Sequence, residues 1–161
     1  MTLVYWALWI IFMFISCLLH ELGHAAMSRI FFNDRGWVIT MGGGTPIFRS
    51  KRLIINSWFF MAGMVQYSVH EGKKGHQIAR AAGGFTINII LAVLIFLFAM
   101  WYSSHVYEIS PAIPIALFAN IVTAIITMIP ITYPYGIIKG MPSDGLYILR
   151  LIKNRNKGTD A

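Results

Sequence analysis

The strongest constraint in this chain is a metal-binding pattern inside an apolar run long enough to cross a membrane. His20, Glu21 and His24 form an H-E-x-x-H motif, and the residues before and after it are mostly apolar. Residues four apart share one face of a helix, so both imidazoles can hold one metal ion. Glu21 lies beside them, where it can accept a proton from water. Ionisable groups within a membrane span are costly and usually functional, which argues against two structural histidines beside a stray glutamate.

The composition argues against an ordinary soluble domain. Of 161 residues, 57% are hydrophobic and only 12% are charged, which is too apolar for a typical soluble protein. All Lys and Arg residues fall in 29–80 and 139–157, and such segregation is typical of the loops of a membrane protein. We therefore attribute the net charge of +7 to membrane-flanking segments and expect no nucleic-acid partner.

The order of apolar and polar segments predicts a mainly α, polytopic membrane protein that forms a single domain over residues 1–161. Three spans are expected, at about residues 3–30, 80–102 and 111–130. A short C-terminal helix is expected at about 144–153, after a stretch rich in turn-forming residues.

A small membrane-associated β-segment is expected at about 37–67, between the first two spans. Residues 37–41 and 47–56 are rich in β-forming side chains, and a glycine-rich turn separates them. Residues 57–67 could form a third strand or an interfacial helix, and the strand is favoured. The alternative for the whole segment is a loop-rich cap without a role in binding.

The distribution of charge also predicts an orientation. The loop at 103–110 has no Lys or Arg and is expected outside, whereas residues 31–77 and the C-terminal tail are expected in the cytoplasm. The N-terminus then lies outside. It lacks the basic start and the cleavage site of a signal peptide, so we interpret it as a permanent span. The expected location is the cell membrane of a bacterium or archaeon.

The two histidines need a third protein ligand if the metal is catalytic Zn²⁺. Asp144 is the favoured candidate, because it opens a predicted helix whose dipole favours a carboxylate. Without the histidine motif it would be interpreted as a plain N-cap aspartate. Cys17, the only cysteine, shares the helical face of the histidines, but a packing role is favoured. His70 and His76 lie in a polar loop and His105 on the outer side, so none of them is a good candidate.

The chain resembles the site-2 protease family of intramembrane zinc metalloproteases over most of its length. The H-E-x-x-H helix at 20–24 and Asp144-Gly145 match the two parts of the family's zinc site. Residues 83–88 follow the family's Ala-Gly-Pro-x-x-Asn pattern with Phe85 in place of proline. A Tyr-Pro-Tyr-Gly insertion precedes Asp144, where the family often has a proline-rich break directly before Asp-Gly. No PDZ-like insert is evident, so the resemblance implies a near-minimal catalytic core.

The resemblance implies hydrolysis of a peptide bond in a membrane-embedded or membrane-adjacent substrate. Zn²⁺ would be held by His20, His24 and Asp144, with Glu21 as general base. Asn88 would orient the substrate or stabilise the oxyanion.

The substrate is expected to bind as an added strand along the β-segment, because an exposed strand edge is a template for an extended peptide. The residues expected to contact it are those of the glycine-rich turn, Gly43, Gly44, Thr45 and Pro46.

Two other functions stay open. The first is a catalytically inactive membrane metal-binding or immunity-type partner protein of the same fold, although a purely structural zinc site would not need Glu21. The second is a small metal transporter, which would require more polar groups across the spans.

Overall fold

The computed structural model describes residues 2–105, 110–134 and 138–154. Within these ranges, the elements are α1 (Thr2–Phe32), β1 (Val38–Arg49), β2 (Leu53–Gln66), α2 (Lys74–Ser103), α3 (Ala112–Met128) and α4 (Asp144–Lys153). The mainly helical fold with a small sheet is therefore confirmed. The short C-terminal helix lies at the residues expected from the sequence.

Helices α1 and α2 are long and apolar enough to cross a membrane. Each has 30 qualifying residues and therefore measures about 45 Å, which exceeds a hydrocarbon core of about 30 Å. Only 11% and 17% of their most apolar stretches are buried, so neither helix resembles the buried core helix of a soluble protein. Apolar surface of this extent needs lipid or another protein to cover it.

Helix α3 is apolar but has only 17 residues. Its length of about 26 Å is shorter than the hydrocarbon core, because the helix ends just before Pro130. The third of the three expected spans is therefore not confirmed.

Strands β1 and β2 form a small antiparallel sheet. Strand β2 continues without a break through Ser57 and includes residues 57–66. This segment is therefore a strand and not an interfacial helix. The glycine-rich turn does not end β1 either, because Gly42 and Gly44 take positive φ angles of 70° and 89° and let the strand bend. Residues 39–41 have partners at 63–65 and also at 53–55. Ile39 is consequently an interior residue of the sheet.

The sheet packs on the C-terminal half of α1. Ala25 of α1 forms a buried cluster with Ile39, Met41 and Val65 of the sheet, and Cys17 packs against its edge. On another face of α1, a Cβ at Gly23 would collide with the backbone carbonyl of Gly83. The backbones of α1 and α2 are therefore in direct contact, as small residues permit at helix interfaces in membranes.

Hydrogen bonds of Asp34 connect the last turns of α1 to the residues that follow β2. The carboxylate is fully buried and accepts hydrogen bonds from the hydroxyl of Ser28, the amide of Gly36, the amide and hydroxyl of Ser68, and the amide of Val69. Burial raises the pKa of Asp34, but the donors at Ser68, Gly36 and Val69 outweigh it and lower the pKa to about 2.

Replacing Asp34 by alanine should lower the free energy of unfolding, since each hydrogen bond to a charged group contributes about 1.5–3 kcal/mol. The pKa of Asp34 is depressed in the folded state, so its contribution is present above about pH 4 and is lost as the pH falls towards 2. Unfolding in mixed micelles, followed from pH 6 to pH 2, measures this. Identical pH profiles for the wild type and Asp34→Ala would contradict the assignment.

Candidate metal centre

The structure brings His20, His24 and Asp144 together, although more than a hundred residues separate the aspartate from the histidines. Asp144 Oδ2 lies 3.1 Å from His20 Nε2 and 3.3 Å from His24 Nε2. The two Nε2 atoms are 3.1 Å apart. These three side chains offer one ligand atom each and could hold a metal ion.

The hydrogen bonds on the far sides of the imidazoles assign their tautomers. His24 Nδ1 lies 2.8 Å from the backbone oxygen of Arg80, and a carbonyl only accepts, so Nδ1 carries the proton. His20 Nδ1 lies 2.8 Å from Asn88 Oδ1, which likewise only accepts. In the neutral rings, both Nε2 atoms therefore present bare lone pairs to Asp144.

Asp144 Oδ2 is a buried oxygen without a hydrogen-bond donor. In its ionised form, the carboxylate faces the lone pairs of both Nε2 atoms. Three electron-rich atoms at this spacing repel each other unless a positive charge lies between them, and either a proton or a metal cation could supply it.

Asp144 reaches this position because α4 begins beside the end of α3. The Ser143 hydroxyl donates to the Ile129 carbonyl at 2.6 Å and accepts from the amides of Ile131 and Leu146 at 3.2 Å. Gly145 lies directly against the carbonyl of Met128, and a Cβ there would collide with it. These contacts hold Asp144 beside the end of α3, although a Tyr-Pro-Tyr-Gly insertion precedes it in the sequence.

Helix α2 approaches the imidazoles through Gly84. A Cβ at this position would lie 2.5 Å from the Nε2 atoms of both His20 and His24. No side chain fits there without moving the ligand atoms. The two glycines at 83–84 thus allow two close contacts, one with the backbone of α1 and one with the imidazole rings of His20 and His24.

Replacing Gly84 by alanine should abolish metal binding, because the new methyl group occupies the space beside both Nε2 atoms. Gly75→Ala is the matched control, since it lies in the same helix with no atom within 4 Å of an added Cβ. Metal analysis of both purified variants measures the difference. Equal metal content in the two would exclude the three-ligand group as the binding site.

Glu21 lies on the wall of a cavity of about 490 Å³ that also contains the three candidate ligands. Strand β2 forms the facing wall through residues 62–65. Gly63 allows this approach, because a Cβ there would come within 2.5 Å of Glu21 Cγ. Cys17 lines the cavity but does not belong to the metal-ligand group.

The glycine-rich turn does not reach this cavity. Residues 62–65 of β2 line it, whereas Gly43, Gly44, Thr45 and Pro46 do not. Gly43 is buried and the other three are exposed, in the part of β1 that bends away after its partners at 63–65. The substrate contact expected of these four residues stays a prediction, although they lie outside the cavity that contains Glu21.

Asn88 lies behind His20 and not in the cleft. It is fully buried, and its amide nitrogen lies 2.9 Å from Ser16 Oγ and 3.0 Å from Asn120 Oδ1. Both ends of its side chain are thus engaged within the protein. This geometry favours positioning of His20, whereas the substrate contact expected of Asn88 stays a prediction.

The sequence patterns did not predict several residues that belong to the site. Ser16 and Asn120 could have been found as polar side chains within apolar segments, where each needs a partner. Arg80, His70 and Tyr147 line the cavity, and no spacing rule links them to the motif. Arg80 is held between the rings of Phe32 and Tyr67, with its guanidinium carbon 4.4 and 4.2 Å from their centres.

Comparisons with protein-family models, with curated proteins and with solved structures found no match.

Proposed function

We propose that the protein is an intramembrane zinc metalloprotease of the site-2 protease kind. The observation that carries the proposal is the convergence of three unprotonated ligand atoms beside Glu21 in one cleft. Tetrahedral Zn²⁺ with bonds of 2.0–2.1 Å would have ligand atoms about 3.3 Å apart. The separations of 3.1–3.3 Å among His20, His24 and Asp144 fit that arrangement.

The donor set also supports a catalytic centre. Two imidazoles and one carboxylate leave a fourth position open, which is typical of hydrolytic zinc sites. Zinc held there would lower the pKa of a water molecule and polarise the scissile carbonyl. Glu21 would accept the proton of that water and pass it to the leaving amine.

Other residues of the chain keep the imidazoles in place. Asn88 and the carbonyl of Arg80 hold the rings of His20 and His24 in one tautomer, and Ser16 and Asn120 hold the amide of Asn88. Partners of this kind orient metal ligands and raise their basicity. We therefore assign Asn88 a positioning role in the proposed mechanism.

The proposed substrate is a membrane-embedded or membrane-adjacent polypeptide. The apolar, exposed surfaces of α1 and α2 support a site within the bilayer. We further propose that α3 completes a three-span core with the N-terminus outside. The Lys and Arg residues that the structure describes lie near the end of α1, in and after the sheet, at the start of α2 and around α4, which favours a cytoplasmic location for this side.

We propose that the substrate binds along strand β2. Residues 63–66 pair with β1 along one edge, and the described part of the chain provides no strand for their other edge. The neighbouring segment 62–65 lines the cleft beside Glu21. An extended peptide added there would be held by backbone hydrogen bonds, and a helical substrate would first have to unwind.

The purified protein should contain about one zinc ion per chain. Substitution of His20, His24 or Asp144 by alanine should lower the zinc content, whereas Glu21→Gln should retain zinc but cleave no substrate, because an amide cannot accept the proton. Metal analysis and comparison of membrane peptides from cells with wild type and Glu21→Gln measure both effects.

Two outcomes would contradict parts of this proposal. If Asp144→Ala binds zinc as tightly as the wild type and remains active, the third ligand is wrong. If the wild type and Glu21→Gln retain zinc and yield identical membrane peptides, the catalytically inactive metal-binding partner becomes the better interpretation.

A photocrosslinking amino acid at Met64 should capture the substrate in a Glu21→Gln background, since this residue lies in the segment that lines the cleft. The same amino acid at Thr45, an exposed residue of β1 away from the cavity, is the control. Crosslinked products identified by mass spectrometry measure the difference. Capture at Thr45 but not at Met64 would indicate that the substrate contacts the glycine-rich turn and not β2.

A further inference from the structure

A second cavity, of about 530 Å³, lies between the C-terminal half of α1 and the sheet. Leu22, Ala25 and Ala26 of α1 form its apolar floor. By helical periodicity these residues lie on the opposite face of α1 from His20 and His24. The groove is therefore separate from the candidate metal centre.

Three arginines surround the groove. Arg29 belongs to the last turn of α1, Arg35 to the loop that follows, and Arg52 to the turn between the strands. The structure records no carboxylate within ion-pair distance of any of the three among the residues it describes. The neighbouring Asp34 is already occupied by four donor residues. Three guanidinium groups with no carboxylate of the described residues beside them favour an anionic ligand.

The side chain of Arg52 is oriented by contacts with residues beside the groove. It donates to the carbonyl of Trp37 at 3.1 Å and to the carbonyl of Arg35. Its guanidinium carbon lies 4.4 Å from the centre of the Trp37 ring. These contacts use two of the five N–H donors of the group and leave the others for a ligand. Fixing the side chain in advance reduces the entropy lost on binding.

The floor of the groove continues along α1 as an apolar stripe. Ile11 and Ile15 are exposed, and helical periodicity places them on the same face as Leu22. An acyl chain can therefore follow α1 from the arginines into the apolar part of the helix. Inorganic phosphate would match the arginines but leave this stripe uncovered.

We propose that this groove binds an anionic membrane phospholipid, with the headgroup phosphate among Arg29, Arg35 and Arg52 and an acyl chain along α1. The bound lipid would touch both α1 and the sheet and would hold them together. Because the same sheet places Gly63 against Glu21, the lipid would also support the wall of the cleft. The proposal requires only that α1 lies in a membrane and does not depend on proteolysis.

Native mass spectrometry of the detergent-solubilised protein tests the proposal with phosphatidylglycerol and phosphatidylcholine of identical chains. We expect one tightly bound phosphatidylglycerol per protein and at least about tenfold weaker binding of phosphatidylcholine. Arg29→Gln combined with Arg35→Gln should weaken phosphatidylglycerol binding by at least about tenfold. Arg49→Gln combined with Lys51→Gln removes the same charge from the hairpin outside the groove and should change it by less than about twofold.

Three results would overturn the proposal. Equal losses in the two double variants would indicate general attraction to basic surface. Equal binding of the two lipids would show that the headgroup charge is not recognised. Displacement of phosphatidylglycerol by equimolar inorganic phosphate would indicate a simple anion site without a role for the acyl chain.

A second measurement needs no change in the arginines. Phosphatidylglycerol brominated near its headgroup should quench the fluorescence of Trp37, which lines the groove. The quenched fraction should fall in Trp37→Phe, and the difference isolates this tryptophan from the other four in the chain. Equal quenching in the wild type and Trp37→Phe, with both proteins folded by circular dichroism, would also overturn the proposal.

Discussion

The candidate site depends on one electrostatic requirement, a positive charge among three electron-rich atoms. His20 Nε2, His24 Nε2 and Asp144 Oδ2 lie within 3.3 Å of one another, and the protons of both rings are on the opposite nitrogens. In a low-dielectric setting, such an arrangement is unfavourable unless a cation or a proton joins the atoms. The histidines lie on α1 and the aspartate on α4, so the same charge would also stabilise the contact between these two helices.

Close helix contacts make this convergence possible, and glycine supplies them. Gly84 lets α2 approach the imidazoles, Gly145 lets α4 approach the end of α3, and Gly63 lets β2 approach Glu21. Each position lacks the space for even one methyl group, so alanine would displace the imidazoles beside Gly84, the backbone of Met128 beside Gly145, or the side chain of Glu21 beside Gly63. In a membrane these contacts also replace the hydrophobic effect as a source of helix association, because small residues allow extensive van der Waals packing between backbones.

Polar side chains in the apolar interior act as connected partners. Asn88 joins His20 of α1 to Asn120 of α3, and Ser16 bonds to both asparagines. An unpaired amide in this environment would cost several kcal/mol, so the network favours one arrangement of the three helices. The orientation of the His20 ring is thus coupled to the packing of α2 and α3, so residues outside the candidate ligand group support its geometry.

The sequence alone determined the local features, because they depend on neighbours along the chain. Helical spacing predicted that His20 and His24 share a face, and β-forming residues predicted the strand at 57–66. The position of Asp144 at the start of a helix was also predictable, although its approach to the histidines was an inference from chemistry and resemblance. Only the tertiary structure decided which segment faces Glu21. The bend of β1 at Gly42 and Gly44 directs the glycine-rich turn away from the cleft, and residues 62–65 of β2 line it. The tertiary structure also decided the place of Asn88 behind His20, because a helix crossing depends on contacts between distant segments that no local spacing encodes.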